Sequence, residues 1–120
     1  HQWFRNDVMG VPGDEDGGGL SSFVVFSMMG FYPVTPGSPS YNIGSPFFNE
    51  IKIKLSNGKT FRIIGKYCSE ENKAWEKPWF SHDDIKNGGK LEFIMGDKRN
   101  TEWGSDMNNV PPSALPYPKN

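Results

Sequence analysis

With one cysteine, Cys68, in 120 residues, the chain can form no internal disulfide and no cysteine-based metal cage. Cys68 itself reads as a small half-buried residue at a strand end. No apolar run approaches the roughly 20 residues that cross a bilayer, and no charged-then-apolar leader opens the chain. Neither charge dominates: 13 Lys and Arg stand against 14 Asp and Glu, for a net charge of −1. That balance removes the basic stripe that neutralises phosphates and the polybasic segment that holds a membrane surface. Nucleic acid and membrane are therefore not the expected partners. Apolar residues make up only 35%, whereas there are fourteen glycines and ten prolines, which excludes an all-helical bundle and predicts turns and extended segments.

What is present begins with Gly13-Asp14-Glu15-Asp16-Gly17-Gly18-Gly19, three consecutive carboxylates beside three consecutive glycines, followed at once by an apolar segment. Each glycine raises the entropy lost on ordering the backbone, so the run implies that something approaches this backbone closely. It is not an EF-hand, because Gly18 stands where an oxygen ligand is needed and Val25 where the bidentate glutamate belongs. Nor is it a phosphate cradle, since the carboxylates would repel the anion.

Leu20 to Met29 follows as a helix with Phe23, Phe26 and Met29 or Gly30 along one face and Val24 and Val25 beside them, a pattern that predicts burial nearly all round. Gly30 supplies a left-handed cap and Pro33 forbids continuation. Residues 31–50, rich in Pro, Gly and Ser, read as an ordered connector with extended pieces. Glu50 to Leu55 alternates, Asn57-Gly58 signals a turn and Thr60 to Ile64 returns, which together predict a β-hairpin. Ser81-His82-Asp83-Asp84 has capping-box spacing for a short helix near 82–87, closed by Asn87-Gly88-Gly89, and Lys90 to Met95 alternates as a third strand. The reading is of an α+β fragment. Residues 1–30 hold the acidic loop and helix, 31–50 the connector, 51–104 a small antiparallel β subdomain and 105–120 an extended tail. His1-Gln2-Trp3-Phe4-Arg5 reads like the tail of an element already under way, so a carboxy-terminal piece of a longer protein is expected.

Several blocks then fit one known family: Gly13-Asp14-Glu15-Asp16-Gly17-Gly18, Phe26-Ser27-Met28-Met29-Gly30, Phe31-Tyr32-Pro33-Val34-Thr35-Pro36-Gly37 and Tyr41-Asn42-Ile43-Gly44-Ser45-Pro46. Asn57 to Phe61, Pro78-Trp79-Phe80-Ser81-His82 and Asn100-Thr101-Glu102-Trp103-Gly104 continue in the same order. Together they resemble the carboxy-terminal end of glycoside hydrolase family 92, the calcium-dependent exo-acting α-mannosidases. The resemblance implies an amino-terminal β-sandwich and a larger α/α-toroid, of which this chain would be the last helix and a terminal β subdomain. It implies inverting hydrolysis of terminal mannose from glycans, many of them α-1,2-linked, with calcium on the sugar's vicinal hydroxyls. It also implies a pair of acidic residues two apart that activate water, at the positions of Asp14 and Asp16. The general acid, most of the sugar pocket and most calcium ligands would lie upstream of these residues. Export to the periplasm or cell surface of a bacterium follows from family habit. One departure is the stretch from Glu71 to Pro78, shorter than in relatives, through a deleted strand or absent residues.

Inversion requires a base opposite the leaving group, with carboxyls roughly 6.5–9.5 Å apart to admit a water. In extended chain, Asp14 and Asp16 would project to one side and Glu15 to the other. Glu15 is then a structural contact or, more weakly, a sugar contact. Trp75, Trp79, Phe80 and Trp103 suit either burial against the β unit or sugar stacking, Trp79 being the foremost of them as a substrate contact. His82 reads as a surface or capping residue. Ser21, Ser22 and Ser27 have no histidine placed to activate them. The alternative to an enzyme part is a non-catalytic β-rich module that binds glycans or stabilises its neighbour. In either case a helix parted from its toroid neighbours predicts self-association of the isolated chain.

Overall fold

A computed structural model describes residues 3–67 and 75–112. Cys68, residues 71–74 of the shortened stretch, His1 and the last eight residues of the tail lie outside the described residues. The acidic loop leads into helix α1 (Gly19–Met29), followed by strands β1 (Phe31–Tyr32), β2 (Ser40–Ile43), β3 (Glu50–Lys54), β4 (Thr60–Tyr67) and β5 (Trp79–Ser81). Helix α2 (His82–Ile85), strand β6 (Gly89–Met95) and a 3₁₀ turn (Met107–Asn109) complete the order.

Local chemistry sets most of these limits. Gly30 ends α1 in the left-handed conformation, with φ 88°, and its N–H donates to the carbonyls of Phe26 and Ser27. The β3–β4 turn places Gly58 at φ 79°, and the Asn57 side chain both accepts from the Lys59 N–H and donates to the Lys86 carbonyl at 2.7 Å. Asp84 Oδ2 accepts from the backbone N–H and the hydroxyl of Ser81, each at 2.8 Å, and so starts α2.

The strands form two three-stranded sheets, ordered β1-β2-β5 and β3-β4-β6. The first is antiparallel, as is the β3–β4 hairpin, in which Ile51 faces Ile63 and Ile53 faces Phe61. The expected all-antiparallel subdomain is corrected at β6, which runs parallel to β4 with Phe61 opposite Gly89 and Ile63 opposite Leu91. The chain leaves β4, pairs β5 into the other sheet, turns through α2 and returns along the free edge of β4 in the same direction. A crossover of that kind is what parallel pairing requires.

Between the sheets lie the buried Phe31, Phe61, Ile63, Phe80, Ile85 and Phe93. Phe80 joins the two sheets, meeting Phe31 at 5.1 Å and Tyr41 at 5.2 Å on one side and Phe61 at 6.5 Å on the other, between ring centroids. Helix α1 reaches this core through Phe26 and Met29. Phe26 packs edge-on to Phe31 at 5.7 Å and Phe23 edge-on to Tyr32 at 5.5 Å. Burial all round does not follow. No residue of α1 is fully buried, and Phe23 and Val25 are 45% and 56% exposed, because the described chain supplies a layer on one side only.

Candidate active site

The acidic loop folds back onto the first turn of α1. Four residues of the loop take positive φ: Gly13 at 82°, Asp16 at 54°, Gly17 at 63° and Gly18 at 97°. The glycines answer to that backbone and not to crowding, since no described atom lies within 4 Å of where a Cβ would stand on Gly13, Gly17 or Gly18. The expected close approach therefore has no counterpart among the described residues, and the space beside the glycines is open. Asp16 is the one non-glycine residue with positive φ among those described, a conformation that Asp tolerates better than most.

This turn aims three loop acceptors at the amino-terminal N–H groups of α1, which have no partner within the helix. The Gly19 N–H donates to the Asp16 carbonyl at 3.2 Å and the Leu20 N–H to the Glu15 carbonyl at 3.2 Å. The Ser21 N–H donates to Glu15 Oε1 at 3.1 Å. The cap position is Gly18, which has no side chain, and the first turn of α1 contains no acidic residue. Glu15 therefore takes over both tasks, offering an acceptor and a negative charge to the positive end of the helix. Its other oxygen, Oε2, is buried and has no hydrogen-bond partner among the described residues.

Asp14 and Asp16 flank this inward-turned glutamate, and both are exposed. The run is not extended throughout as its spacing suggested, because Asp16 has already entered the left-handed turn. The structural contact expected of Glu15 takes the form of a capping bond, which residue type alone does not specify. The missing signal was Gly18 and Gly19, which leave the helix without a cap of its own.

The other candidates lie elsewhere. Trp79 sits in β5, its indole N–H donating to the Asn109 carbonyl at 3.1 Å and Lys77 Nζ lying 5.2 Å from its ring centroid. Trp75 and Trp103 donate to the carbonyls of Trp79 and Trp75, so the three indoles strap the connection before β5 to the chain after β6. His82 Nδ1 lies 3.1 Å from the Tyr41 hydroxyl on the surface. An open depression bordered by Ser27, Gly30, Tyr32 and Asn42 lies at the opposite end of α1 from the acidic loop. Among the described residues no three His, Cys, Asp or Glu side chains gather as a metal cage. None of the described helices is long and apolar enough to cross a membrane.

Residues 1–97 match the model of the glycosyl hydrolase family 92 catalytic domain. The chain belongs to that family. A curated relative, an uncharacterized secreted glycosidase of Arthroderma benhamiae, is 37% identical over 123 residues, covering 92% of this chain and 16% of its own length. A family 92 α-mannosidase of Bacteroides thetaiotaomicron, solved in complex with mannoimidazole, superposes with a TM-score of 0.82 at 34% identity. That likeness covers 93% of this chain and 16% of the mannosidase. A family 92 inverting mannosidase of the same organism has a TM-score of 0.77 at 33% identity, covering 93% of this chain and 17% of its own. The chain thus spans about one sixth of the length of these proteins.

Proposed function

We propose that the chain is the carboxy-terminal part of an inverting exo-α-mannosidase and supplies the loop that carries its catalytic base. The observation that bears most on this reading is the pair Asp14 and Asp16, exposed on a loop pinned to α1, in a chain of family 92. Either carboxylate is suited to take a proton from water as the water oxygen attacks the anomeric carbon. The glycosidic C–O bond then breaks on the opposite face, and the leaving oxygen takes a proton from an acid on the remainder of the polypeptide. The substrate is terminal mannose of glycans, with α-1,2 linkages foremost, and the enzyme is secreted, as the name of the Arthroderma benhamiae relative says of that protein. Calcium belongs to this reading as a cation whose ligands lie mostly in other parts of the enzyme.

The test is release of mannose from α-1,2-mannobiose by the full-length polypeptide. Asp14→Asn and Asp16→Asn are expected to lower kcat by about a hundredfold or more, the scale of a lost general base. Unchanged turnover in both variants would make the loop architectural.

A further inference from the structure

We infer that Glu15 is a positioning residue for the base carboxylates, acting as the surrogate cap that locks the acidic loop onto α1; the inference rests on the catalytic reading of Asp14 and Asp16. Among the described residues the loop bonds to the helix through the Glu15, Asp16 and Gly18 carbonyls and through a single side chain, Glu15, whose Oε1 takes the Ser21 N–H at 3.1 Å. Gly18 at the cap position offers no side chain for this purpose. Four of the six residues from 13 to 18 adopt left-handed backbone, three of them glycines with open space around them, so the loop has little of its own to hold one conformation. Without Glu15 the turn at Asp16 loses the one side-chain anchor to the helix found among the described residues. Asp14 and Asp16, the immediate neighbours of Glu15 in the chain, move with it. A displacement of about 1 Å in a reacting group is enough to lower a rate by about a hundredfold.

Because the bond needs an oxygen acceptor at Oε1, glutamine preserves it and alanine does not. In the full-length polypeptide, Glu15→Ala is expected to lower kcat by about tenfold or more with KM for the mannoside nearly unchanged. Glu15→Gln is expected to stay within about threefold of the unaltered protein. Sodium azide, a small nucleophile that replaces activated water when a base is removed, is expected to restore turnover to alanine variants of Asp14 or Asp16. It is not expected to restore Glu15→Ala, because the base is still present there. Unchanged kcat in a folded Glu15→Ala protein would overturn the inference. So would a Glu15→Gln loss as large as that of Glu15→Ala, which would make the charge itself the working group. If instead Asp14→Asn and Asp16→Asn leave turnover intact, it is the base-loop reading that fails.

Discussion

At the residue scale, a few side chains and one glycine decide how the acidic loop and α1 are held. Gly30 is required twice, once by φ 88° and once by crowding, since a Cβ there would stand 2.7 Å from the Pro46 nitrogen. Its carbonyl also accepts from the Gly44 N–H at 2.8 Å, so the end of α1, β1 and the chain after β2 meet at this residue. Gly30→Ala is expected to destabilise the fold by about 1–3 kcal/mol, read as a lowered thermal midpoint. An unchanged midpoint would show that the backbone relaxes there without loss. At the other end of α1, loss of the Glu15 cap is expected to remove about 0.5–2 kcal/mol, as for an ordinary cap. Asp14 and Asp16 were legible in the sequence as a carboxylate pair. The inward turn of Glu15 was not, because it depends on Asp16 taking left-handed backbone, which spacing does not reveal.

Elements show how far sequence pattern reaches. The hairpin, the capping box of α2 and the Gly30 stop each rest on contacts between near neighbours in sequence, and each was legible from residue type. The direction of β6 was not, since alternation is the same in parallel and antiparallel strands and only the route of the chain through β5 and α2 decides it. The outer face of the β3-β4-β6 sheet carries a second consequence of that route. Lys52, Arg62 and Lys90 are aligned across three strands, one of them parallel, so three cations stand in a row. Directly opposed like charges destabilise a sheet unless neutralised. Glu50 accepts from Arg62 Nε at 3.0 Å, and Glu92 lies 3.0 Å from both Lys66 and Lys90. Hydrogen bonding from Arg62, with the charge of Lys52, holds Glu50 below the ordinary glutamate value of 4.5, and Lys90 followed by Lys66 does the same for Glu92. A carboxyl with a lowered folded-state pKa contributes stability that is fully present above its unfolded value and is lost as pH falls through the folded one. The thermal midpoint is therefore expected to be flat above pH 4.5 with respect to these groups and to fall below it. Glu92→Gln is expected to weaken that dependence. An acid limb of undiminished steepness in the variant would place its origin in other groups.

For the whole molecule, the relation between α1 and the rest is the central physical fact. The sheets bury a continuous aromatic core, but the helix that carries the acidic loop contributes only one side to it and leaves Val25 more than half exposed. Its apolarity on every side was legible in the sequence, whereas its exposure was not, because a sequence gives a helix's demand for partners and not their supply. The 13.5 kDa chain produced alone is expected to associate through the exposed side of this helix, giving a scattering mass above that of a monomer, and Val25→Ser is expected to reduce it. A monodisperse monomer at high concentration would contradict this. Residues 1–97 match a family 92 catalytic domain, and the proposed base pair, Asp14 and Asp16, stands just before α1. The most direct measurement is azide rescue of the Asp14→Ala and Asp16→Ala forms of the full-length polypeptide acting on an activated α-mannoside. The account predicts loss of turnover without azide and, in at least one variant, its return with azide as a mannosyl azide of inverted configuration. Full turnover of both variants in the absence of azide would contradict it.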